Sequence, residues 1–142
     1  MISLEDCIKR GLIRKTLPSK ENASRTLEKS ATLLEEAEEN LKSGRINSAV
    51  IVSYLSMFNA FRSLLFRDGW REKSHICVAR YVEAEYARKG KIGMELIELF
   101  DRFRSSRHAV QYSAEYLPSK EEAGNMISTA EIIIKEVRRL TE

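Results

Sequence analysis

The chain has 142 residues, with 24 Lys+Arg against 21 Asp+Glu, two Cys, two Pro and six Gly; that length predicts one domain spanning 1–142. A hydrophobic fraction of 43% beside 32% charged residues excludes a disordered chain. No run approaches the roughly 18 apolar residues that cross a bilayer, and the net charge of +3 is too small to argue nucleic-acid binding by itself.

The N-terminus, Met1 to Cys7, lacks the basic-then-apolar layout of a secretory signal. Cys7 and Cys77 stand in no metal-ligand spacing, so free thiols in a cytoplasmic protein are expected. Ser3 is a candidate N-cap for a short amphipathic start with Leu4, Ile8 and Leu12. Pro18-Ser19 then opens a long helix in which Ala23, Leu27, Ala31, Leu34, Ala37 and Leu41 recur at spacings of three and four. Glu35, Glu36, Glu38 and Glu39 lie off that stripe as a solvated face, and Ser43-Gly44 is a natural stop.

A second helix, 46–67, is apolar almost all round: Ile46, Ala49, Val50, Tyr54, Leu55, Met57, Phe58, Phe61, Leu64 and Leu65. Such a helix belongs at the centre of a bundle. It is apolar over so much of its circumference that one subunit is not expected to cover it, which favours a symmetric dimer. Its polar interruption is a stripe of Ser53, Ser56, Asn59 and Ser63, read either as close helix packing or as a ligand site. Ser74 is placed as the cap of a third helix carrying Val78, Tyr81, Val82 and Tyr86, with a break at Gly90 and Gly93. A fourth helix follows with Leu96, Leu99, Phe100, Phe103 and Val110 inward. Ser119-Lys-Glu-Glu122 reads as a capping box opening a fifth. No strand alternation is found. The expected fold is all-α: an up-and-down antiparallel bundle of four main helices plus a short extra one.

Charge is concentrated where chemistry would need it. From Ile46 to Tyr116 eleven basic residues face eight acidic ones, densest at Arg102-Phe-Arg-Ser-Ser-Arg-His108. On the fourth helix Arg104, Arg107, His108 and Gln111 fall at i, i+3, i+4 and i+7, with Tyr112 at the edge and Arg102 further round. Guanidinium groups clamp phosphate and stay charged; imidazole exchanges protons near neutrality. Together they fit cleavage of RNA through its 2′-hydroxyl. The plainer reading is a solvated arginine face paired with Glu98 and Asp101. His75, in the first turn of the third helix, is assigned a neutral, hydrogen-bonded role rather than catalysis. No Gly-x-Gly-x-x-Gly or phosphate-loop motif is present, so no cofactor is expected.

The run Ser53-Tyr-Leu-Ser-Met-Phe-Asn-Ala-Phe-Arg-Ser-Leu-Leu65 resembles the signature helix of HEPN-domain proteins. A Gly after it, Lys73-Ser74-His75, and Arg107-His-Ala-Val-Gln-Tyr112, similar to an Arg-x-x-Ala-Asp-Tyr ending, follow in the family's order. The resemblance covers about Leu27 to Leu140. It implies a HEPN-type bundle, often dimeric across the signature and fourth helices, commonly paired with a minimal nucleotidyltransferase in toxin–antitoxin systems. Many such proteins are metal-independent ribonucleases with an Arg followed four to six residues later by His, completed across the dimer. Arg102 and His108 satisfy that spacing, whereas Arg107, Tyr112 and Arg62 match the general family pattern. Leu55, Asn59 and Gln111 depart from it.

Two functions follow as expectations. One is a homodimer that acts on RNA, with Arg102 and His108 catalytic and Arg104, Arg107, Gln111, Tyr112 and Arg62 on phosphate, without metal. The other is a non-catalytic module that binds a minimal nucleotidyltransferase or a nucleotide. In a regular helix Arg102 and His108 stand about 120° apart, so a shared site requires two subunits.

Overall fold

The computed structural model describes residues 1–141. In chain order it contains α1 (Leu4–Lys9), β1 (Ile13–Lys15), α2 (Lys20–Lys42), α3 (Ile46–Asp68), β2 (Trp70–Glu72), α4 (His75–Val82), a π-helical turn (Glu83–Ala87), α5 (Met94–Tyr112) and α6 (Lys120–Thr141). Helices dominate, and the expected helical bundle is the architecture. The long first and second predicted helices are α2 and α3, and the fourth and fifth are α5 and α6.

Helix α3 is the axis of the bundle, because its apolar residues point in every direction and each needs a neighbour. No residue from Ala49 to Arg67 is exposed. Tyr54, Met57, Phe61, Leu64 and Leu65 are completely buried, against Phe100 of α5 and Met126, Ile133 and Val137 of α6 among others. By composition α3 is long and apolar enough to cross a membrane, yet it is mostly buried inside the bundle. This corrects the argument made for a dimer: α2, α4, α5, α6 and β2 surround α3 within one subunit. Only a half-buried stripe with Ile51, Val52, Leu55 and Arg62 is left.

The small residues of α3 serve packing. Ser30 Oγ donates to the Ser56 carbonyl at 2.6 Å and Ser56 Oγ returns a bond to the Ser30 carbonyl at 2.8 Å, which locks the midpoints of α2 and α3. Ser19 N–H bonds the Phe66 carbonyl, so the start of α2 meets the end of α3 and the pair runs antiparallel. Ser53, Asn59 and Ser63 each donate to a carbonyl one turn back, so their buried groups are satisfied by the helix itself. The packing alternative holds for this stripe.

Two features depart from the expected all-helical chain. The first is an antiparallel pair of strands, with Ile13 opposite Glu72, Arg14 opposite Arg71 and Lys15 opposite Trp70. Three residues per strand are too few for alternation to show. Gly69 makes the turn at φ +88°, where a Cβ would come within 2.9 Å of the Thr16 carbonyl oxygen. The second is a disulfide between Cys7 on α1 and Cys77 on α4, with Cα atoms 5.9 Å apart. The expectation of free thiols is overturned, and with it the premise for a cytoplasmic location. The strand pair folds the N-terminal segment back onto α4, which a spacing of 70 residues does not reveal.

Local chemistry sets several element ends. Ser3 and Asp6 form a reciprocal capping box on α1. Ser74 precedes α4, but its side chain caps nothing. The box expected on α6 is half formed: Glu122 N–H bonds Ser119 Oγ, while the Glu122 carboxylate accepts from Ser106 and Tyr116 instead. After α4 the backbone widens to i→i+5 bonding, as in Arg88 N–H to the Glu83 carbonyl. That wider turn lets Tyr81 and Tyr86, five apart, both donate to Asp68 Oδ2 at 2.8 and 2.6 Å.

Candidate phosphate-binding site

Helix α5 buries Leu96, Ile97, Phe100 and Phe103 and turns its C-terminal half outward. There Arg104, Ser105, Arg107, His108, Ala109, Tyr112 and Ser113 line an open depression of about 480 Å³. Four of the predicted site residues, Arg104, Arg107, His108 and Tyr112, are thus brought together on one surface. Gln111 joins them through Arg107, whose Nη1 donates to Gln111 Oε1 at 2.8 Å. Arg102 and Arg62 are not part of this depression. Arg102 is exposed and lies over the Phe103 ring, with its guanidinium 5.1 Å from the centroid.

His108 is exposed and packs against Tyr112, ring centroids 4.7 Å apart. It has no hydrogen-bond partner among the described residues, so its ring is free to meet a ligand or a second chain. Tyr112 is 71% exposed, as an aromatic next to cations can be where bases stack.

The arginines are held from behind. Asp101 takes Arg104 Nη1 at 2.7 Å on one oxygen and Arg80 on the other. Arg80 is almost completely buried and also approaches Glu83 at 3.3 Å. The chain Glu83–Arg80–Asp101–Arg104 therefore ties α4 to α5 and fixes one of the two guanidinium groups over the depression. Arg107 is placed differently, over Tyr54 with its guanidinium carbon 5.0 Å from the ring centroid. Its Nε is buried without a partner.

Behind Arg107 is a cluster that charge patterning does not reveal. Tyr54 is buried at the centre of α3 and stacks on Phe100. Its hydroxyl lies 3.0 Å from His75 Nδ1. Burial pushes its phenol pKa up to about 12, so the proton stays on. The His75 ring stacks on Phe58 at 4.0 Å between centroids. Burial chiefly, and then the Arg107 charge, lowers the pKa of His75. The hydrogen bond expected for this histidine is present, and the lowered pKa accords with the neutral role read for it. Arg62 reaches the same ring, its guanidinium carbon 5.8 Å from the Phe58 centroid, and bonds Glu72 through Nε at 2.9 Å. Tyr54 and Arg80 were not singled out by spacing, because their importance lies in contacts between elements remote in sequence; Asp101, read as an acid that pairs the arginine face, does bond Arg104.

A family model described as HEPN domain matches residues 23–140 of the chain. No curated protein matches it. The matched span runs from α2 through α6, and it omits α1 and β1.

Proposed function

The chain belongs to the HEPN-domain family, and from that premise we propose that it is an RNA-directed protein of a toxin–antitoxin-like or defence system, cleaving RNA without metal as a homodimer. The observation that supports this is the gathering of Arg104, Arg107, His108 and Tyr112 around one open depression. Two guanidinium groups offer bidentate hydrogen bonds to a phosphodiester and stabilise the charge that develops on phosphorus. His108 supplies proton transfer: it takes the proton of the 2′-hydroxyl as that oxygen bonds phosphorus, and the resulting imidazolium gives that proton to the 5′-oxygen as its bond to phosphorus breaks. Products would be a 2′,3′-cyclic phosphate and a 5′-hydroxyl.

Arg102 joins this scheme only from a second copy, because it lies outside the depression of its own subunit. Exposed Tyr112 and Leu117 leave apolar surface at that end of α5, which supports contact between copies there. The test is incubation of single-stranded RNA with chelator present. Wild type should cleave and His108→Ala should lose about 10²–10⁴-fold in rate with folding unchanged. Equal rates would end the catalytic assignment.

A second reading is favoured by the separation of Arg102 from His108 within the subunit. In it the arginine face holds phosphate or an acidic surface of a minimal nucleotidyltransferase partner, and His108 is incidental. Intact RNA together with a stable complex on co-expression would favour it.

A further inference from the structure

We propose that His75, oriented by Tyr54 and flanked by Arg62 and Arg107, forms a second phosphate-binding position inside a single subunit, taking a backbone phosphate of RNA through the imidazole Nε2–H. The inference rests on the RNA-directed reading only for the identity of the ligand.

The tautomer follows from donor bookkeeping. Tyr54 is buried and stays protonated, so its O–H needs an acceptor. The guanidinium of Arg107, against its ring, can only donate. His75 Nδ1, at 3.0 Å, is the one acceptor within reach of that hydroxyl among the described residues. The hydroxyl therefore donates to Nδ1, and the proton of the neutral imidazole sits on Nε2. Nε2 makes no hydrogen bond among the described residues, and the buried side-chain nitrogens left without partners are Arg80 Nε and Arg107 Nε alone. Nε2 is therefore not sealed from solvent, and the Phe58 stack and the Tyr54 hydroxyl hold the ring that carries it.

The surroundings select an anion. Arg62 uses Nε on Glu72, which leaves both terminal nitrogens unbonded among the described residues. Arg107 keeps one terminal nitrogen after bonding Gln111. The charged groups facing His75 are Arg62 from α3, Glu72 from β2, and Arg107 and Arg104 from α5. Adding Asp101 beside Arg104, three cations face two carboxylates, a net positive site with a neutral donor at its centre. Such an imidazole binds a phosphate oxygen without the repulsion that a fourth nearby cation would meet in the empty site. Because Arg107 also lines the depression on α5, it belongs to both positions, and a strand of RNA crossing it would place successive phosphates on each.

Imidazole nitrogen NMR tests the site directly, with inorganic phosphate as the probe. His75 should show the Nε2–H tautomer, and phosphate should raise its pKa by about one unit. Arg62→Gln should weaken that response. The Nδ1–H tautomer, or a His75 signal unmoved by phosphate, would overturn the proposal. The double variant Tyr54→Phe/His75→Phe keeps the stacked rings and removes the donor without orphaning a hydroxyl. It should bind single-stranded RNA about 10-fold more weakly, and unchanged affinity would count equally against the site. Failure of the two ideas separates cleanly. Wild type that leaves RNA intact while His75 responds to phosphate defeats the ribonuclease reading alone. Full RNA cleavage with His75 silent to phosphate defeats this one alone.

Discussion

Asp101 carries two jobs on its two oxygens, and they can be pulled apart by substitution. Its bond to Arg80 neutralises a guanidinium that is 2% exposed, deep between α4 and α5. Asp101→Asn leaves that guanidinium with Glu83 alone, 3.3 Å away, so the substitution should cost about 2–3 kcal/mol, or roughly 7–10 °C in Tm. Its bond to Arg104 joins a partly exposed group, so Arg104→Gln should change stability little while weakening RNA binding. Chemical denaturation and a binding titration on both variants check the contrast. His75 adds a pH dependence of known sign. Its folded pKa lies below the ordinary 6.5, because burial and Arg107 oppose the charged ring. Between those two values the unfolded chain binds the extra proton, so stability is full above pH 6.5 and is lost as pH falls through the folded pKa. Urea midpoints compared at pH 7.5 and 5.5 should show this loss, and the Tyr54→Phe/His75→Phe variant should flatten it.

At the scale of elements, legibility followed sequence range. Helices α2, α3, α5 and α6 were readable because their signals are local: apolar spacing, Ser19 as a cap and Gly44 and Gly69 as stops. Ser74 carried the right residue type but its side chain bonds nothing, and Glu122 was drawn from its expected cap by Ser106 and Tyr116. The arginine face of α5 was legible as one polar surface, since i, i+3 and i+4 positions must neighbour each other. The Tyr54–His75 pair was not, because 21 residues separate its members and only the docking of α4 on α3 joins them. The same holds for Cys7 and Cys77. That bond closes a loop of 70 residues, which in the chain-entropy view stabilises by about 4 kcal/mol. A reducing agent should therefore lower the unfolding free energy by about 2–4 kcal/mol, and Cys7→Ser/Cys77→Ser should reproduce the loss. Hydrogen exchange should then rise first in α1 and β1, which are otherwise held by the three-residue strand pair with β2 and by the packing of α1 on α4. Equal protection with and without reductant would mean these contacts alone secure the segment.

For the whole molecule, the proposed function has either one subunit or two meet the RNA, and salt dependence distinguishes them. A net charge of +3 gives weak long-range attraction, so affinity must come from the clustered arginines. Each phosphate neutralised on a single strand contributes about −0.7 to the slope of log K against log salt. The two phosphate positions of one subunit, the α5 depression with Arg104 and the His75 position with Arg62, share Arg107 and predict a slope of about −1.4. If two copies present their α5 helices to one strand, as the separation of Arg102 from its own His108 requires for a composite site, the slope doubles to about −2.8. Light scattering at micromolar concentration should report a dimer in that case, and Arg102→Gln should then lower cleavage without altering the fold. A monomer with a slope of about −1.4 would confine binding to one subunit and remove Arg102 from the chemistry, because Arg102 lies outside the depression that His108 lines in its own subunit. A slope near zero would leave the arginine cluster with no phosphate to hold and would turn the depression toward a protein partner.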